Sequence, residues 1–138
     1  MSDFEEYLEQ IRALTRDVFI PFEPQLEADG DVPEIIHQNI RDAGLYGISI
    51  PKKYGGMALS MEQQVLLTME FTYASSVYRS TFSTSIGLCS QALLDFGTIE
   101  QIETYIPPMG RGECVGAFCL TEPEAGTDAG ALQTTAIR

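Results

Sequence analysis

The sequence predicts a mainly α fold: an N-terminal helical bundle over residues 1–113, then over 114–138 the first one or two strands of an incomplete β-domain. Three observations carry this. Apolar residues from Phe4 to Phe96 recur at spacings of three and four, the period of one helix face. Ser60 with Gln63 and Thr98 with Gln101 have the capping-box spacing, in which each side chain satisfies the other's backbone N–H at a helix start. After Glu113 the pattern changes to short apolar runs rich in branched and aromatic residues, which suit strands.

Taken in order, Phe4, Tyr7, Leu8, Ile11, Leu14 and Val18 form the apolar face of a first helix, which Pro21 and Pro24 should bend or end. "EADGDVP" is a polar connector with Gly30 as a breaker. Pro33 suits the first turn of a second helix carrying Ile35, Ile36 and Ile40, and Gly44 falls where a left-handed cap is wanted. "LYGISIPKKYGG" is too short and too glycine-rich for a helix and is expected to be an extended segment with a turn. Met61, Val65, Leu66, Met69 and Tyr73 mark the face of a third helix. Phe82, Ile86, Cys89, Leu93 and Phe96 form the cleanest buried stripe, ended by Gly97; a short helix from Thr98 should stop at Pro107-Pro108. "CVGAFCL" and "LQTTAIR" are the two expected strands. Two strands alone are marginal in water, so the chain is expected to continue into a larger sheet.

At 138 residues, with 44% hydrophobic and 20% charged residues, the chain is of a size and composition for a globular domain. Its net charge of −12 argues against nucleic acid, whose affinity comes largely from cations neutralising phosphates. No apolar run is long enough for a membrane span, and the acidic start resembles neither a secretion signal nor a transit peptide. Cys89, Cys114 and Cys119, an odd number without metal-site spacing, are expected as buried free thiols in a reducing, cytoplasmic compartment. The lone His37 cannot build a histidine metal site and is expected to be solvated; no metal is expected.

The most particular stretch is "AFCLTEPEAGTD", Ala117 to Asp128. Thr121 and Thr127 offer hydroxyls, Pro123 fixes a turn, and Gly126 permits close backbone approach. Exposed N–H groups in such a turn can cradle an anion such as a pyrophosphate. An ordinary surface turn explains the same residues, and on them alone the turn is the preferred reading.

A resemblance reverses that preference. "AFCLTEPEAGTDAGALQTTAIR" resembles the signature of the acyl-CoA dehydrogenases: Thr-Glu-Pro, two variable residues, then Gly-Ser/Thr-Asp. "GLYGISIPKKYGGMALSMEQQVLLTMEF" and "FGTIEQIETYIPPMGRGE" are similar to family segments in the same order. The likeness covers nearly the whole chain, but only about the first third of a family member. Lys53 stands where the family commonly has an acid, and Ala58 where it often has glycine.

The resemblance implies an N-terminal helical domain and the start of a middle β-domain that binds FAD. It implies cofactor contacts at Phe118, Cys119, Leu120, Thr121, Gly126 and Thr127, the last also beside the acyl-CoA substrate. Backbone donors near the flavin ring suit the charge that develops there as it accepts hydride. Glu122 and Asp128 are expected to shape the loop rather than to act as acid and base. The helix around Thr81, Thr84, Ser85 and Leu88 resembles the one bordering the acyl chain, with Thr84 and Leu88 as candidate contacts; close packing of small polar residues is the preferred alternative. The family's base is a glutamate in a C-terminal domain, so no catalytic residue is assigned here. The implied reaction is α,β-desaturation of an acyl-CoA, with α-proton abstraction and β-hydride transfer to flavin. Electrons would pass to an electron-transfer flavoprotein, the full-length form would be a homo-oligomer, and the 138-residue chain alone would be inactive. An oxidase or monooxygenase of the same fold, or a free-standing helical interaction module, are the alternatives.

Overall fold

A computed structural model describes residues 3–137. Helix α1 (Asp3–Leu14) places Asp3, Glu5 and Glu6 in its first turn, where carboxylates oppose the positive end of the helix dipole, and buries Ile11. Pro21 and Pro24 neither end nor interrupt the helical path that follows. A π turn (Thr15–Phe19) and a 3-10 turn (Ile20–Phe22) lead directly into α2 (Glu23–Asp29). Both prolines sit in the first two positions of a new turn, where no intrahelical N–H is needed. Gly30 ends α2 in the left-handed conformation at φ 69°.

Helix α3 (Glu34–Asp42) starts after Pro33, which lies at its N-cap, and buries Ile36 and Ile40. The next stretch is more compact than the expected extended segment. Leu45–Gly47 and Lys52–Tyr54 each form a 3-10 turn, burying Leu45, Tyr46, Ile48 and Ile50. The chain then returns along itself: Met57 N–H donates to Gly47 C=O at 2.8 Å and Leu59 N–H to Ile48 C=O at 2.8 Å. Ala58 has φ 50°, the left-handed region glycine prefers, so its backbone is held there by the surrounding contacts.

Helix α4 (Met61–Phe71) has the capping box of Ser60 and Gln63, with both reciprocal bonds formed. Its core face is the opposite of the expected one. Leu67 and Phe71 are buried, whereas Met61, Val65, Leu66, Met69 and, just beyond, Tyr73 are exposed. Both faces carry apolar residues, and the aromatic cluster below selects Leu67 and Phe71. Helices α5 (Ser76–Thr84) and α6 (Ser90–Phe96) are one helical path joined by a π turn at Ser85–Cys89. Tyr78, Phe82, Ser85, Ile86 and Ser90 face inward; Cys89 and Leu93 are half-buried, and Phe96 is 89% exposed instead of closing the stripe. Helix α7 (Ile99–Gly110) has the second capping box and runs through Pro107 and Pro108. The carbonyls these prolines leave without a partner belong to Glu103 and Thr104, both exposed to water.

Aromatic rings form the centre of the core. Phe71 lies 5.1 Å from Phe19 and 5.5 Å from Phe82, both edge-on, and Tyr46 lies 6.1 Å from Phe82. Such pairs contribute roughly 0.5–1.5 kcal/mol beyond their buried area. Arg12 pairs with Glu70, tying α1 to α4, and its hydrogen bond holds the Glu70 carboxyl below its ordinary range. Tyr7 donates to Ala43 C=O at 2.9 Å, and burial pushes its phenol pKa up.

Neither expected strand forms among the described residues. Residues 115–120 and 132–137 carry no regular secondary structure and no ladder partner among the described residues; Arg138 lies outside the described residues. A strand exists only with a neighbour to bond to. Here the N–H groups of Gln133 and Thr134 instead bond the Glu122 carboxylate.

Candidate functional site

The segment after α7 is positioned by two close backbone approaches. Gly112, at φ 68°, turns the chain beside Tyr46, whose ring would lie 2.6 Å from any added Cβ. Gly116 then packs on the π turn: a Cβ there would lie 2.5 Å from Cys89 Cβ and 2.9 Å from its Sγ. The Gly116 N–H donates to the buried Ser85 hydroxyl oxygen at 2.9 Å. A cleft of about 440 Å³ remains between this segment and the helices, lined by Cys89, Leu93, Tyr105, Met109 and Phe118 among others.

Beyond it, Glu122 and Ala125 exchange backbone bonds of 3.0 and 3.2 Å, closing a tight turn over Pro123 with Ala125 buried. The Glu122 carboxylate accepts from the Thr134 hydroxyl, from Gln133 N–H at 2.8 Å and from Thr134 N–H at 2.9 Å. These donors, the Thr134 hydroxyl first, hold its pKa below the ordinary range. Asp128 accepts from Gly130 N–H at 3.1 Å. Both carboxylates are therefore engaged in shaping the loop.

The candidate contacts lie on the open side of this frame. Phe118 and Leu120 are 44% and 42% exposed, and Cys119, Thr121 and Thr127 are exposed. Nothing stands within 4 Å of a Cβ built at Gly126. Among the described residues, the N–H groups of Ala117 through Thr121 have no acceptor in the chain. Thr84 is exposed and Leu88 half-exposed on the outer side of the α5–α6 path, and no hydrogen bond joins either to the 121–128 loop among the described residues. Unpaired backbone donors beside an exposed aromatic ring and an unobstructed glycine leave room for a ligand that carries hydrogen-bond acceptors.

The cysteines correct one expectation. All three are free thiols, but Cys114 and Cys119 are exposed and only Cys89 is partly covered. Burial, and secondarily Cys119, pushes the Cys89 thiol pKa up. Sequence reasoning missed Gly116 and the anchoring bond of Ser85, because a bond across 31 residues leaves no local pattern. It also missed Arg79, which lines the grooves between α4 and α5 with Gln64 and Thr68 and has no carboxylate partner among the described residues. Among the described residues no helix is long and apolar enough to cross a membrane.

Residues 2–113 match the N-terminal domain pattern of acyl-CoA dehydrogenases. The 3-(aryl)acrylate reductase of Clostridium sporogenes is 39% identical over 137 residues, covering 96% of this chain and 36% of that protein. The caffeyl-CoA reductase-Etf complex subunit CarC of Acetobacterium woodii is 37% identical over 139 residues, covering 97% and 37%. The crystal structure of glutaryl-CoA dehydrogenase from Mycobacterium smegmatis superposes with a TM-score of 0.85 at 28% identity, covering 100% of this chain and 36% of that one. The chain belongs to the acyl-CoA dehydrogenase family. It spans little more than a third of the length of these relatives.

Proposed function

We propose that this chain supplies the N-terminal helical domain and a flavin-contacting segment of a FAD-dependent acyl-CoA dehydrogenase. The observation that supports this most is the run of unpaired N–H groups from Ala117 to Thr121 within the family's signature. FAD, when bound, supplies the acceptor for the hydride leaving the β-carbon. Backbone groups at Phe118, Cys119, Leu120 and Thr121, with the Thr121 hydroxyl, orient the ring and stabilise charge developing at its edge. Gly126 and Thr127 receive the diphosphate, and Thr127 also borders the acyl-CoA. Thr84 and Leu88 border the acyl chain. No residue of this chain takes the α-proton.

Two relatives carry reductase names and the solved neighbour a dehydrogenase name. Desaturation, in a homo-oligomer that passes its electrons to an electron-transfer flavoprotein, is the direction we propose; one relative is itself named as a subunit of an Etf complex. Anaerobic titration of the intact gene product with acyl-CoA thioesters tests the reading. Bleaching of a yellow protein with formation of an enoyl-CoA is expected; a colourless protein, or one that no thioester bleaches, would defeat it.

Arg79 favours a second reading of the substrate, in which the acyl group carries a carboxylate. It is the only arginine in the described residues without a carboxylate partner, and Ser83 and Gly87 line the same groove one and two turns on. The solved glutaryl-CoA dehydrogenase is named for such a thioester. Arg79→Gln should raise KM for a dicarboxylic monothioester at least about tenfold and leave a straight-chain substrate nearly unchanged. Equal effects on both would remove this reading.

A further inference from the structure

Ser85 differs from the other hydroxyls on the α5–α6 path. Thr81 and Ser90 donate to carbonyls of their own helix, at 2.7 and 2.6 Å, so their bonds stay local. Ser85 is 1% exposed, sits at the first residue of the π turn, and accepts from Gly116 N–H across 31 residues. Among the described residues this is the one hydrogen bond between residues 114–120 and the helical body. The contact leaves no slack, because the approach of Gly116 to Cys89 is too close for a side chain. The carbonyl of Ile86, next in the turn, also accepts from Ser49 at 3.2 Å and Ser90 at 2.6 Å, so the turn is fixed from the 45–59 segment as well.

We propose that Ser85 is a positioning residue: its bond to Gly116 sets the register in which Phe118 to Thr121 are presented to the flavin. This rests on the flavin reading above. The segment has no ladder partner within the chain, so a slip of one residue would turn every donor from Ala117 to Thr121 to the opposite side. One buried acceptor opposite one obligatory glycine prevents that slip. It also links the register to the helix carrying Thr84 and Leu88, so the candidate acyl contacts and flavin contacts share one fixed point.

The test compares Ser85→Ala with Ser90→Ala in the intact gene product. Both remove an equally buried hydroxyl from one helical path, but only the first leaves the Gly116 N–H unsatisfied. Ser85→Ala should weaken FAD retention about tenfold, shift the visible flavin absorption and accelerate Gly116 amide exchange. Ser90→Ala should lower thermal stability while leaving the flavin spectrum unchanged. Ser85→Thr, which keeps the acceptor, should restore the wild-type spectrum. A yellow wild type whose Ser85→Ala variant matches Ser90→Ala in spectrum and FAD retention would overturn the inference alone. A colourless wild type would defeat the flavin reading and the inference with it.

Discussion

Residues 3–110 and the segment from 113 to 137 are held by different forces. In the first, aromatic and aliphatic side chains from α1 to α7 bury one another, and charged residues such as Arg12 and Glu70 only pin helices already packed. In the second, Ala125 is the one buried side chain, and order comes from hydrogen bonds: Gly116 to Ser85, Glu122 to Ala125, and Glu122 to Gln133 and Thr134. The contrast suits a rigid scaffold that offers a hydrogen-bonding edge. An exposed edge can leave its donors to a ligand or to water, whereas a buried core cannot leave them unpaired.

Substitutions can break or sharpen that contrast. The largest effect is expected in the body: Phe71→Ala removes a ring packed on Phe19 and Phe82 and should cost about 3–5 kcal/mol in urea unfolding of the 138-residue chain. Gly116→Ala forces a methyl into Cys89 and should cost about 1–3 kcal/mol. Its signature should be faster amide exchange over 113–121 with little change in α1 to α4. The Arg12–Glu70 tie is smaller. Because the Glu70 pKa is depressed in the folded state, its contribution is present above the ordinary value of 4.5 and lost as pH falls below it. Glu70→Gln should therefore flatten the acid limb of a stability-against-pH curve. Met69→Ser, on the exposed face of α4, should change the stability of the 138-residue chain by no more than about 0.5 kcal/mol.

Features closed by nearby residues were legible in the sequence. Both capping boxes and the left-handed Gly44 form as expected, and Gly30 breaks the helix as expected, since their partners lie within a few positions. Choices made by distant partners were not. Periodicity gives Met61, Val65, Leu66, Met69 and Tyr73 as the apolar face of α4, but Leu67 and Phe71 on the other side meet the core. Pro107 and Pro108 predict a stop, yet exposed carbonyls one turn earlier let the helix continue. Both apolar runs after Glu113 have the composition of strands, and without a ladder they form no regular structure among the described residues. In the candidate site, the signature from Thr121 to Asp128 could be recognised directly. The groove cation Arg79 and the Ser85–Gly116 bond depend on how α4, the α5–α6 path and the following segment pack together, which no local spacing encodes.

In the proposed function, the edge from Ala117 to Thr127 meets the flavin and the helical body holds that edge in place. Hydrogen–deuterium exchange of the intact gene product, with FAD bound and after its removal, tests this most directly. The account predicts that FAD slows exchange in residues 117–127 well beyond any change in α1 to α4. Unchanged exchange over 117–127 in a protein that demonstrably binds FAD would contradict it.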